Sequence, residues 1–293
     1  MTVHLLVDIL VGGAILGAVY SLVAVGLNLQ YGVTRILNVA HGDFLMIGAY
    51  LTYFSFTVLG MNPYSSIVII GPAMFLVGYL VYTLILRRIV RSSKSGEELE
   101  FRSLLLCFGL SFVIQNFALA LWTANYKSYE VTSLGLLTIA GVDFEMNRII
   151  IALISIGINV ALYLFLRFTR AGVAMRATVD QPVGSQLVGI NIFNICAFSF
   201  SLGIVLAAWA GILLSILSPT INPFMGAPYT VIALVLVILA GIGSFKGNIV
   251  GGFLIGYLSY ITLRVIDPSL TLVIVYGVLI LVLLIKPKGL FAR

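Results

Sequence analysis

Apolar runs separated by short polar interruptions fill this chain from end to end. They lie at about 5–30, 43–60, 64–86, 103–122, 149–166, 192–217, 228–242, 249–263 and 269–285. Several approach the roughly 20 residues that a helix needs to cross a bilayer. The seventh and eighth are short and rich in glycine, and the second is short unless it begins upstream of His41. The pattern predicts an all-α, polytopic integral membrane protein with about 8–10 transmembrane segments, some of them broken at glycines. A single transmembrane domain is expected over residues 1–293. The stretch from Leu5 to Leu29 lacks the basic region and small-residue cleavage site of a signal peptide, so it reads as a first helix that stays attached.

Composition agrees. Hydrophobic residues make up 61% of the chain and charged residues 9%, against about 25% charged in an ordinary soluble domain. The net charge of +6 is spread over short inter-helical segments and is not a nucleic-acid signal. Cys107 and Cys196 sit in or beside apolar runs and read as small buried hydrophobes. Lysine and arginine set orientation, because they concentrate in cytoplasmic loops. Alternating the loops places thirteen basic residues on one side and only Lys127, Arg148 and Arg264 on the other. That bias predicts a plasma (inner) membrane protein with its N-terminus outside and C-terminus in the cytoplasm.

The polar interruptions carry the candidate chemistry. Between the first two runs stand Gln30, Asn38, His41 and Asp43. Polar groups at membrane depth are costly unless buried in protein or lining a cavity. Two readings stay open: a broken helix facing a pathway, or an interfacial turn with His41 bonded locally and Asp43 capping the next helix. Residues 87–102 read as a solvated, flexible loop, and 123–148 as an external cap or docking surface. The stretch holding Gly241, Gly243, Gly247, Gly251 and Gly252 lacks the Gly-Lys-Ser/Thr triplet of a phosphate-binding loop. It is expected to be a tight, pocketless turn between packed helices. A weak likeness between this hairpin and the first suggests a duplication of the parallel kind.

The longest cytoplasmic interruption is 168–191. Ala171–Val179 can be helical, Asp180 can cap a second turn, and Pro182 is tolerated at its start. Val183, Leu187 and Val188 then form an apolar strip beside Gly184 and Gly189, suited to docking in a groove of another protein. Arg170, Gly172, Arg176, Asp180, Gly184 and Gly189 form the candidate docking set; a helix lying on the membrane surface is the other reading. No catalytic or metal-ligating constellation is apparent, so the energy for uphill transport would come from a partner or an ion gradient.

Four blocks resemble one family. They are Gly26–Gly32 running into Asn38–Tyr50, Arg170–Ala177 with Asp180 and Gly189–Ile192, the glycine turn, and the Lys286–Phe291 tail. The chain is similar to LivH-type permeases of ATP-driven branched-chain amino acid importers. Ala240 stands where that family usually has glycine, and Gln30 where an apolar residue is more usual. The resemblance implies a second permease of the LivM type, two P-loop ATPase subunits and an extracytoplasmic substrate-binding protein. It implies no cofactor in this chain, with ATP-Mg held by the partners. It also implies that 168–191 couples to an ATPase, and that Asn38, His41 and Asp43 are structural or gating residues near the inner mouth. Urea, short amides or other amino acids remain alternative substrates, and an ion-coupled secondary transporter is the alternative mechanism.

Overall fold

In the computed structural model, which describes residues 3–131, 134–286 and 289–291, the apolar runs fold as helices. Lys288 and Arg293, counted above with the basic tail, lie outside the described residues. In chain order the helices are α1 (Val3–Thr34), α2 (His41–Leu59), α3 (Ser66–Val81), α4 (Arg87–Ser92), α5 (Gly96–Trp122), α6 (Met146–Phe168), α7 (Arg170–Asp180), α8 (Pro182–Leu187), α9 (Ile192–Leu217), α10 (Gly226–Ala240), α11 (Phe245–Ile261) and α12 (Thr271–Ile285). A π-helical turn, Tyr82–Leu86, joins α3 to α4 without a break, and a second, Thr262–Ile266, extends α11. Among the described residues eight helical stretches are long and apolar enough to span a membrane, and α10 is a shorter apolar helix. The protein is a polytopic, all-α membrane protein.

Helices α1 and α9 form the centre and are buried over most of their length. They run antiparallel: Gln30 reaches Phe200, Ser199 reaches Leu29, and Gly26 abuts Gly203. Glycine permits this approach, since a Cβ at Gly26 would lie 3.1 Å from the Gly203 carbonyl. Helix α11 packs antiparallel on the other side of α1, where a Cβ on Gly17 would lie 2.8 Å from Phe253 Cα. Membrane helices have no solvent-driven attraction in lipid, so such small-residue contacts supply the packing. Around this centre, α3, α5 and α12 turn large apolar side chains outward, among them Leu76, Phe112 and Leu284.

The 87–102 stretch is not a loop. It is helical except around residues 93–95, because Ser95 caps α5 by accepting from Glu98 N at 3.2 Å. Glu98 returns a carboxylate to Lys94 N at 2.7 Å and pairs with Arg102 at 2.6 Å. That pattern is close to a capping box, Ser-x-x-Glu in the sequence, with the carboxylate reaching the amide one residue before the cap. The 123–148 segment carries a hairpin of β1 (Leu136–Ile139) and β2 (Val142–Glu145) in antiparallel register, Leu136 opposite Glu145. Tyr129 anchors this segment: its hydroxyl lies 2.7 Å from Ser215 Oγ at the far end of α9, and burial pushes its phenol up to about 12.

The largest departure from a simple bundle follows α1. The chain turns at Arg35, which has φ +57°, and runs back along α1 until His41 meets Val23. From Val23 to Thr34 is about 16 Å of helix, a distance that six extended residues can cover. Helix α2 therefore starts near the middle of the bundle. Helix α9 is followed by a similar return, and α10 starts at the same depth, with Gly226 against Gly42. The two turns match: His41 N bonds Asn38 O, and Met225 N bonds Asn222 O, both at 3.2 Å. Helix α2 leaves toward the face that holds Tyr129, and α10 toward the face that holds the glycine turn. The long helix, break and half-buried helix thus repeat in inverted orientation, not in the parallel hairpins that the sequence likeness suggested. The sequence trace of this repeat is only an asparagine four residues before a glycine.

Candidate functional site

The meeting point of α2 and α10 is held by glycines and polar side chains. A Cβ on Gly42 or on Gly226 would run into the other's carbonyl oxygen, so neither position has room for a side chain. Thr230 Oγ1 accepts from Gly42 N at 2.8 Å, satisfying one of the amides that a helix start leaves free. His41 Nε2 lies 3.1 Å from Val23 O, in α1 rather than in its own turn. Asp43 sits in the first turn of α2 rather than at its cap, which is Ala40. Its carboxylate suits the positive end of the helix and accepts from Gln115 Nε2 of α5 at 2.9 Å. Both residues lie at mid-depth, not near the inner mouth. Gln30 is a strap: its amide donates to Phe200 O at 3.0 Å and its carbonyl oxygen accepts from Asn38 Nδ2 at 3.1 Å. His41 Nδ1 and Asn38 Oδ1 are buried without a partner, as are several polar atoms elsewhere in the interior, so the junction is one of its polar weak points.

The 168–191 segment leaves the bundle as two short helices. Thr169 caps α7 by accepting from Gly172 N at 3.1 Å. Gly172 faces inward, because a Cβ there would strike Phe165 O and lie about as close to Leu166. Pro182 opens α8 at its first position, where no intrahelical donor is required. The residue ahead of it is Gln181, so Asp180 ends α7 instead of capping α8. On α8 the apolar strip stands free: Val183 is 71% exposed, Leu187 84% and Val188 77%. Gly189 has φ +84° and closes α8, so backbone conformation explains this glycine without any groove. Gly184 has open space apart from an ordinary contact with Gln181. Arg170 is exposed.

The glycine turn has the expected shape, with φ +88° at Gly241 and +77° at Gly243. Asn28 of α1 holds it, accepting from Gly243 N at 2.7 Å. A Cβ on Gly247 would lie 2.8 Å from Ala240 O and one on Gly252 2.5 Å from Ser21 Cα, whereas one on Gly251 would meet only leucine methyls. The turn is not pocketless, however. It walls a cavity of about 1110 Å³ between α1, α6, α7 and α10, into which Arg167, Arg176, Asp180 and Lys246 also project. The turn residues alone could not reveal this, because the other walls come from distant segments.

Residues 9–283 match the family model described as branched-chain amino acid transport system / permease component. The chain belongs to that family. It is 31% identical to the high-affinity branched-chain amino acid transport system permease protein BraD of Pseudomonas aeruginosa, over 97% of this chain and 95% of the relative. It is 29% identical to LivH of Escherichia coli strain K12, over 96% and 94%. It is 28% identical to a probable branched-chain amino acid transport permease protein LivH of Methanocaldococcus jannaschii, over 96% and 91%. No solved structure matches the chain.

Within this permease, Gln30 and Asn38 bond each other below the start of α2, where His41 meets Val23 and Asp43 meets Gln115, whereas the docking set does not share one surface. Gly172 is internal, Arg176 and Asp180 line the cavity, and the α8 strip faces outward. Sequence reading missed Gln115, Thr230 and Gly226, which complete the junction from α5 and α10. Their only signal was a polar residue or glycine inside an apolar run. Ionisable groups form no metal-binding cluster among the described residues, and the family is one of transport permeases, not enzymes.

Proposed function

We propose that this permease forms half of the translocation pathway of an ATP-driven importer for branched-chain amino acids. Its single transmembrane domain, residues 1–293, would pair with a second, related permease, and separate P-loop ATPase subunits would bind at the cytoplasmic face. An extracytoplasmic binding protein would deliver substrate. The supporting observation is α8: three large apolar side chains held in the open, on the face where lysine and arginine collect. An apolar strip on a short helix, opened by Pro182 and closed at Gly189, suits a groove in a soluble subunit. The coupling segment is 168–191, and its docking element is Val183, Leu187 and Val188. Closure of the ATPase dimer would move α7 and α8 as a unit against α6, switching the pathway between outward and inward openings. Asn38, His41 and Asp43, at and just before the start of the half-helix α2, would gate the pathway in such a rearrangement. Gln30 serves as a strap beneath them.

Proteoliposomes holding the full complex, with binding protein inside or outside, test this reading. Labelled leucine, isoleucine and valine are expected to enter only with ATP on the ATPase side. Uptake of urea in preference to these amino acids would overturn the substrate assignment. One observation favours a second reading: Asp43 is an ionisable residue at mid-depth, as an ion-coupled carrier would need. Uptake driven by an ion gradient without ATP, and lost in Asp43→Asn, would select that reading instead.

A further inference from the structure

The cavity behind the glycine turn is larger than a branched-chain amino acid requires, exceeding the roughly 300–1,000 Å³ of ordinary small-ligand pockets. Its interior is apolar, with Val25 and Leu29 of α1 facing Leu234 and Val237 of α10. Its mouth is cationic. Arg167, Arg176 and Lys246 stand there against one acid, Asp180. All three cations are exposed, and among the described residues none is in an ion pair. The arginines have local hydrogen bonds, Arg176 to Arg167 O at 3.3 Å and Arg167 to Tyr163 Oη at 3.2 Å. Those bonds hold both guanidinium groups at the rim and leave donors free.

An apolar chamber beneath an unpaired basic rim fits an amphiphile with an anionic head. A zwitterionic amino acid would leave most of the apolar wall unfilled and would add an ammonium to a rim that already holds three cations. The rim lies at the end of the bundle where basic residues gather, the end that the charge bias assigns to the cytoplasmic leaflet. Basic pockets between helices at that level recognise anionic headgroups, and guanidinium groups suit phosphate oxygens.

We infer that this cavity binds one anionic phospholipid of the cytoplasmic leaflet, its phosphate at Arg167, Arg176 and Lys246 and an acyl chain between α1 and α10. The site is separate from the docking strip on α8. Helix α7 connects the two: Val179 and Met175 line the cavity, and Val179 Cγ1 would lie 3.3 Å from a Cβ on Gly243. A bound lipid would therefore brace α7 against the glycine turn and make transport sensitive to membrane composition.

Native mass spectrometry of the full-length permease in mild detergent tests this, with phosphatidylglycerol and phosphatidylcholine titrated separately and inorganic phosphate as competitor. One phosphatidylglycerol is expected to bind ahead of any phosphatidylcholine and to resist millimolar phosphate. The exposed-charge variant R176Q/K246Q is expected to bind it about 30-fold more weakly, two surface cations being removed. R88Q/K94Q, which alters two basic residues on the same face away from the cavity, should bind as the unaltered chain does. Equal binding of phosphatidylcholine would overturn the inference, as would displacement by phosphate or unchanged binding in R176Q/K246Q. Because the assay needs no ATPase, such a failure would leave the importer reading untouched.

Discussion

At the scale of single residues, the interior is governed by where a side chain has no room and where a polar atom needs a partner. Gly42→Ala forces a methyl into the Gly226 carbonyl. Overpacking of this kind costs about 1–3 kcal/mol, so a clearly lower unfolding midpoint in detergent is expected. Gly157→Ala, with nothing within 4 Å, is the comparison and should be neutral or slightly stabilising; equal loss in both would refute the junction. Gln30→Leu separates a strap from a substrate ligand. It leaves Asn38 Nδ2 unpaired, at about 1–3 kcal/mol, and is expected to lower stability while leaving the KM for substrate unchanged. A raised KM with unchanged stability would return Gln30 to the pathway. The sequence marked Gln30, Asn38, His41 and Asp43 because polar residues between apolar runs demand an explanation. It could not say what they touch, since Val23, Phe200 and Gln115 belong to other helices.

At the scale of elements, apolar run length made the spans legible, and glycine with proline made the two short helices of 168–191 legible. The 87–102 stretch was misread because its charges outweighed a short signal, Ser95-Gly-Glu-Glu98. Ser95→Ala should cost about 1 kcal/mol of local helix stability, seen as faster amide exchange over the first turn of α5 and nowhere else. Unchanged exchange there would mean that the cap contributes nothing. The inverted repeat was illegible for a different reason. What repeats is a backbone path, a helix, a return and a helix begun at mid-depth, and only Asn38 with Gly42 and Asn222 with Gly226 keep a residue-level trace.

At the scale of the whole molecule, the basic residues separate onto two faces. Arg87 and Arg91 stack over Phe193 at the start of α9, beside the end of α1 and the turn with Lys246. Arg264 pairs with Asp8 at the opposite end, 3.0 Å away. With both native cysteines buried, Lys94→Cys should resist a membrane-impermeant thiol reagent in intact cells, and Leu134→Cys should react. The reverse result would invert the orientation. The proposal that a separate cytoplasmic ATPase drives this permease through α8 is tested most directly by co-purification. The tagged chain, isolated in mild detergent, is expected to bring down P-loop ATPase subunits and a second permease. Val183→Asp with Leu187→Asp, both at exposed positions, should lose the ATPases and keep the second permease. Recovery of ATPases by that double variant at the unaltered level, or isolation of the native chain with no ATPase at all, would contradict the account.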